Sequence, residues 1–299
     1  MSTPFSLTND SDYRAWRATK LANYPLHIDE LVVPIQDPRA LRATESRALE
    51  ACCGRANMVL YYAPNVSTTD KSMPHQFAKQ LGLERLEGNY LADEDGLSSI
   101  TPASDEEQGR GEYVPYTHKP INWHTDGYYN APDRRILGML LHCVQDADSG
   151  GENALLDPDI AYIQLRDTNP EYVAPLMQSD AMTIPARMDE DNVARPEQSG
   201  PVFSVDPHEG FLHMRYTART RSIEWKQDAM TQAAVKTLAE ILNDSEYVLR
   251  TRLVPGMGII CNNVLHTRTA FTDRPERRRL LYRGRYYDRL NFAAQQASG

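Results

Sequence analysis

His124 and Asp126 stand two residues apart in Ile121-Asn122-Trp123-His124-Thr125-Asp126-Gly127-Tyr128-Tyr129. The run has the composition of a strand, and side chains at i and i+2 of a strand share a face. An imidazole nitrogen and a carboxylate oxygen can then reach one metal ion. A second imidazole from elsewhere in the chain would complete a 2-His-1-carboxylate set, which holds Fe(II) and leaves three coordination positions open.

An HxD pair alone is weak evidence in a chain with eight histidines. His27-Ile28-Asp29 is a second such pair and reads as structural. For the third ligand the best candidate is His266, in Cys261-Asn262-Asn263-Val264-Leu265-His266, after an apolar strand and before a turn. His213 is a genuine rival, and His208, His118 and His75 also compete. His142 lies in an apolar strand and reads as a core histidine.

The elements that must position these residues follow from patterning. Residues 27–35 read as a short strand and 57–64 as a buried one. A helix is expected from Asp37-Pro38 to about Cys53, and another over 73–86. Residues 134–147 form a near-continuous apolar strand, buried on both faces. Residues 157–178 read as two short helices split at Asn169-Pro170, and 181–188 as a strand. Residues 202–217 read as two strands around Gly210, and 223–244 as the best helix in the chain. Alternating strands follow to residue 288, with turns at Pro255-Gly256 and Asp273–Pro275, and 293–299 is a tail. Residues 92–112 and 186–201 are polar loops and candidate lids. Short strands without βαβ alternation predict a β-rich mixed fold: a double-stranded β-helix, or jelly-roll, core with flanking α-helices.

Bulk properties narrow the function classes. The 299 residues are 41% hydrophobic and 24% charged, an ordinary globular composition, and suit a single domain. A net charge of −9 argues against nucleic acid as a partner. No apolar run approaches the roughly 20 residues a membrane span needs. Cys52, Cys53, Cys143 and Cys261 show no disulfide-framework spacing. With no signal-peptide pattern in residues 1–16, a cytoplasmic protein is expected.

Three segments taken together, NWHTDGYY, then SGGENALLD (149–157), then NNVLHTRTAFTDRPERRRLLYR (262–283), resemble the Fe(II)/2-oxoglutarate-dependent dioxygenases of the taurine dioxygenase and clavaminate synthase-like group. GGEN and HTRTAF look most like the γ-butyrobetaine hydroxylase branch. The resemblance runs over about 115–288, so a jelly-roll core is expected there, with a helix and strand region over about 1–114. It implies His124, Asp126 and His266 as iron ligands, with 2-oxoglutarate and O2 as cosubstrates. It implies that Arg279 pairs with the far carboxylate of 2-oxoglutarate, a bidentate contact Lys cannot reproduce. Asn153 falls where the family places a residue near that carboxylate. Arg283, which strict alternation places on the face of Arg279, matches a residue that grips an anionic substrate group in taurine dioxygenase. Tyr128 and Asn122, on the His124 side by the same alternation, are further substrate candidates. Arg215 and Arg219 lie in a segment that borders the substrate space in relatives.

The expected activity is hydroxylation of a small molecule, anionic or amino-acid-like, with release of succinate and CO2; a homo-oligomer is compatible. Two other readings stay open. The same three ligands could hold zinc for hydrolysis, although a hydrolase has no need of a buried carboxylate clamp at Arg279. A non-catalytic small-molecule-binding protein of the same fold would bind its ligand without metal.

Overall fold

Ten strands carry the two main sheets: β1 (Val32–Pro34), β2 (Met58–Tyr62), β3 (Ser98–Ile100), β4 (Ile121–His124), β5 (Gly138–Gln145), β6 (Asn153–Leu156), β7 (Leu249–Thr251), β8 (Met257–Cys261), β9 (Leu265–Arg268) and β10 (Leu280–Tyr286). The larger sheet has the order β1-β2-β8-β5-β10-β3, the smaller β7-β6-β9-β4. β1 and β2 are parallel, while β8, β5, β10 and β3 pair antiparallel. This is the β-rich jelly roll with flanking helices that the patterning predicts. The computed structural model describes residues 3–8, 10–88, 92–103, 110–189, 192–221 and 223–292.

Contacts group the chain into two compact units. One comprises Pro25–Ile121, Ile136–Leu155 and Leu249–Gly299. It contains the larger sheet, so strands from well before residue 115 complete that sheet. Helices α2 (Ala43–Ala56) and α3 (Ser72–Gln80) supply Leu49, Cys53, Met73 and Phe77 to a core shared with Val59, Tyr61, Leu140, Ile260 and Tyr286. Gly138 to Val144 are all buried, because β5 has β8 and β10 as neighbours and no solvent face.

The second unit comprises Met1–Tyr24, Asn122–Arg135 and Leu156–Val248. Helices α1 (Asp10–Asn23), α4 (Pro158–Thr168), α5 (Val173–Leu176) and α6 (Ala229–Asp244) form its apolar body. Asp157 caps α4 by accepting from the Asp159 N–H at 2.9 Å, with Pro158 at the first position where a missing N–H costs nothing. Asp228 caps α6 through the Thr231 N–H at 2.8 Å. Arg166 is 3% exposed and stacks on Tyr13 at 3.9 Å while donating to the carbonyls of Pro4 and Ser6, which fastens the N-terminal segment.

Several expected boundaries move for local reasons. Residues 28–31 form a 3-10 turn rather than strand, since the Glu30 carboxylate collects the N–H groups of Leu26 and His27. The helix expected from Asp37 begins at Ala43, because Asp37 closes its own turn onto the Arg39 N–H. The helix expected over 73–86 ends at Gln80, before Gly82 at φ 79°. The helix expected over 223–244 starts at Ala229 after a short strand, Glu224–Trp225. The 92–112 segment contains β3, and the 186–201 segment contains strands Arg187–Asp189, Asn192–Arg195 and Gln198–Gly200. Of the two candidate lids, residues 104–109 and 190–191 lie outside the described residues, as does the 293–299 tail.

Two outcomes test this packing. A Cβ at Gly258 would collide with the Leu141 carbonyl and the Tyr61 ring, so Gly258→Ala should lower the melting temperature by several degrees, from about 1–3 kcal/mol of overpacking. His142 is 1% exposed, bonds the Tyr61 hydroxyl at 2.9 Å, and burial lowers its pKa to about 4. The unfolded chain takes up that proton near pH 6.5 and the folded one only near 4. Stability should therefore fall as pH drops from about 6.5 to 4, and less so in His142→Gln, measured by urea unfolding at each pH.

Candidate functional site

β4 ends at His124, and Asp126 lies in the turn that follows, so strand alternation does not itself align the two. The backbone pairs instead with residues 216–218. His124 bridges Thr217, the Thr125 N–H donates to the Tyr216 carbonyl at 3.0 Å, and the Ala218 N–H donates to the Trp123 carbonyl at 2.7 Å. The Thr125 hydroxyl accepts from the Tyr216 N–H at 3.1 Å. These bonds hold the turn so that His124 Nε2 and Asp126 Oδ1 stand 4.0 Å apart.

β4 is the sheet neighbour of β9, which carries His266. One ligand atom from each of His124, Asp126 and His266 lies within 4.8 Å of the others, and among the described residues this is the one such grouping of histidine, cysteine and acidic side chains. His213, His208, His118 and His75 stand outside it. Asp126 and His266 are each 6% exposed.

The two imidazoles are prepared in the same way. His124 Nδ1 lies 2.9 Å from the Asn122 carbonyl and His266 Nδ1 lies 3.0 Å from the Val264 carbonyl. A carbonyl only accepts, so Nδ1 carries the proton in each neutral ring and Nε2 presents a lone pair. An outer hydrogen bond of this kind orients an imidazole for a metal. Two nitrogen donors and one carboxylate fit Fe(II) by their chemistry.

Arg279 is 5% exposed, and its guanidinium sits 5.1 Å over the Phe271 ring. Burial lowers its pKa to about 10. Among the described residues it has no hydrogen bond and no ion pair. Its neighbours in the Arg triplet are spent elsewhere: Arg277 pairs with Asp146, and Arg278 donates to the Pro102 carbonyl at 2.6 Å. Gly150 and Gly151, at φ 72° and 73°, let the chain pass this corner; a Cβ on Gly151 would lie 3.4 Å from Arg279 Nε.

The other expected residues divide. Asn153 donates Nδ2–H to the Thr267 carbonyl at 2.9 Å, tying β6 to β9 beside His266, and its Oδ1 is buried without a donor among the described residues. Arg283 is half-buried on β10, whereas Arg279 lies just before the strand begins at Leu280. Tyr128 is 9% exposed and packs edge-on against Tyr129 at 5.1 Å. The Asn122 side chain is exposed, so what it gives the site is its backbone carbonyl. Arg215 donates to the carbonyls of Tyr128, Met182, Gly200 and Gln198. With its donors committed to backbone, Arg215 clamps the segment and is not available to substrate.

Sequence reasoning passed over Arg268. It stands two residues beyond His266 on β9, a spacing that already implies a shared face. It is 4% exposed and donates to the carbonyls of Pro115, Thr117 and Lys119, pinning the segment that enters β4. Burial, and then the charge of Arg279, lower its pKa to about 9. Asp273 is the countercharge, with a carboxylate 8% exposed and 3.5 Å from His118 Nε2.

A jelly roll bearing two imidazoles and a carboxylate within reach of one another has the donor set of the non-haem Fe(II) oxygenases. The chain belongs to the taurine catabolism dioxygenase TauD, TfdA family, which it matches over residues 29–284. It is similar to a uridine-5'-phosphate dioxygenase of Amycolatopsis sp, 29% identical over 170 residues, which is 55% of this chain and 60% of the relative. A uridine-5'-phosphate dioxygenase of Streptomyces sp is 30% identical over 181 residues, 58% of this chain and 64% of the relative. The matched region thus spans less than two thirds of either relative. The fold is that of an asparagine oxygenase solved with Fe(II), 2S,3S-3-hydroxyasparagine and succinate, with a TM-score of 0.58 and 18% identity over 84% of this chain and 82% of that one.

Arg268→Met should leave the carbonyls of 115, 117 and 119 without a donor. The expected cost is about 1–3 kcal/mol, read as a lower denaturant midpoint at unchanged slope.

Proposed function

We propose that the protein is an Fe(II)- and 2-oxoglutarate-dependent oxygenase that hydroxylates a small molecule. The observation that carries this reading is the gathering of His124, Asp126 and His266, with both imidazoles held in the tautomer that offers Nε2. Iron bound there, with 2-oxoglutarate and O2, would supply the oxidising power to replace a substrate hydrogen by hydroxyl, with succinate and CO2 released. His124 and His266 would each hold the metal through Nε2 and Asp126 through a carboxylate oxygen.

Arg279 would receive the far carboxylate of 2-oxoglutarate. A buried guanidinium with no hydrogen-bonded anion among the described residues is costly, and a bidentate carboxylate offsets that cost. Asn153, on the same strand pair as His266, would border that cosubstrate. Tyr128 and Arg283 remain the proposed substrate-side residues. Arg279 also weighs against a zinc hydrolase, whose chemistry gives such a cation nothing to bind. The relatives' named substrate, uridine-5'-phosphate, makes phosphorylated small molecules the first class to screen. Among the described residues no helix is long and apolar enough to cross a membrane.

Supplied with Fe(II), 2-oxoglutarate and air, the protein should form succinate, and zinc in place of iron should abolish it. Absence of succinate with iron, with and without a panel of phosphorylated and unphosphorylated small acids, would overturn the reading. His266→Ala should weaken Mn(II) binding at least about tenfold, followed by electron paramagnetic resonance. Arg279→Lys should raise the KM for 2-oxoglutarate by about tenfold or more while leaving metal affinity unchanged.

A further inference from the structure

Arg279 raises a mechanical problem that the other buried arginines do not. Arg215 and Arg268 are held by hydrogen bonds to backbone carbonyls, and those bonds occupy their donors. An arginine that is to receive a carboxylate needs the opposite: a fixed position with its N–H groups left over. Arg279 makes no hydrogen bond among the described residues, yet it is 5% exposed and sits 5.1 Å over the Phe271 ring. An aromatic face attracts a guanidinium through its quadrupole and offers no oxygen acceptor, so the five N–H donors stay available.

Phe271 is itself fixed from several directions, all within one unit. It is 5% exposed. The strand Phe271–Thr272 pairs antiparallel with Ser149–Gly150, and the Phe271 N–H donates to the His118 carbonyl at 3.2 Å. The His118 ring tilts against the Phe271 ring at 4.9 Å, and the Arg268 guanidinium lies 4.8 Å over it. Arg268 in turn belongs to β9, two residues beyond His266. A Cβ added at Gly151 would meet both Arg279 Nε at 3.4 Å and Phe271 Cβ at 3.6 Å, so the two side chains pack into the same corner. Asp273 adds a charge that both arginines feel, but neither of its oxygens accepts a hydrogen bond among the described residues. A charge without a bond attracts the guanidinium and leaves its direction open; the ring supplies the direction.

We propose that Phe271 is a positioning residue for the cosubstrate: its ring links Arg279 to the strand of His266 and holds the guanidinium in place with its donors open to the far carboxylate of a 2-oxo dicarboxylic acid. The inference deepens the oxygenase reading and rests on it. The chelating end of that acid would be held at the metal ligands and the far end at Arg279, so the two grips must keep a fixed separation. His266 and Arg268 share β9, and Arg268 and Arg279 share the Phe271 ring. The separation is therefore carried by a continuous chain of contacts. Leu or Met would fill similar volume without a π face and leave the arginine buried but loosely aimed. Tyr would keep the face.

The test is titration calorimetry of 2-oxoglutarate into the anaerobic, Mn(II)-loaded protein. Phe271→Leu and Phe271→Met should each weaken 2-oxoglutarate binding about tenfold, whereas Phe271→Tyr should stay within about threefold of the wild type. Mn(II) affinity, read by electron paramagnetic resonance, should be unchanged in all three. In an Arg279→Lys background the Phe271→Leu loss should shrink below about threefold, because an ammonium has no plane for the ring to orient. Unweakened binding in both Leu and Met variants, an equal loss in Tyr, or an undiminished loss beside Arg279→Lys would overturn the proposal. So would a fall in Mn(II) affinity that matches the fall for 2-oxoglutarate in both Leu and Met variants, since the ring would then support the fold alone. Wild-type protein that binds Mn(II) but no 2-oxoglutarate would sink the oxygenase reading and this inference with it. Wild-type affinity with unaffected variants would sink this inference alone.

Discussion

The hydrogen-bonded adjacency of β4 and β9 is the constraint on which the rest depends. Residues 124 and 266 are far apart along the chain, and only a sheet register can bring them together with fixed orientation. Each histidine then takes its proton position from the carbonyl two residues upstream, Asn122 for His124 and Val264 for His266. The sheet sets position, and the local carbonyl sets tautomer.

Four buried or half-buried arginines show how burial and partner count sort one residue type into different tasks. Arg215 and Arg268 spend their donors on backbone carbonyls and act as rivets, one behind Tyr128 and one behind the segment entering β4. Arg279 is as deeply buried as Arg268 and has no such partners. Arg195 spends one donor and keeps another idle. Desolvation penalises a cation unless hydrogen bonds compensate. Arg279, with no hydrogen bond among the described residues, is therefore the one of the four for which an outside anion makes the most physical sense.

Much of this was legible in the sequence because it depends on local pattern. The unbroken apolar run of β5 announces a strand with no solvent face, and the split at Asn169-Pro170 announces itself through proline. The HxD spacing was readable from residue order, while the choice of His266 over His213 came from the resemblance to the dioxygenases. Asp126 was expected for a wrong reason, since it lies beyond the strand end, in a turn held by Tyr216 and Ala218. Arg283 was assigned a face by strict alternation, although Arg279 precedes the strand that carries Arg283. The Arg187–Arg195 pairing was hidden for a similar reason: the 186–201 segment has the polar composition of a loop, and only cross-strand hydrogen bonding makes it a hairpin. Arg268 and Arg215 were illegible because their partners are backbone carbonyls, which every residue possesses.

The turn that launches β9 is anchored unusually widely. Asn263 adopts φ 49° and donates to the Ile136 carbonyl at 2.7 Å, while Asn262 reaches the Asn57 side chain at 3.1 Å and accepts from the Leu290 N–H at 3.0 Å. The turn is thereby moored to the end of α2, to the lead-in of β5 and to the C-terminal segment, all within one unit. A turn moored at three places offers no hinge. His266, three residues beyond Asn263, therefore stands on a base that is fixed on three sides.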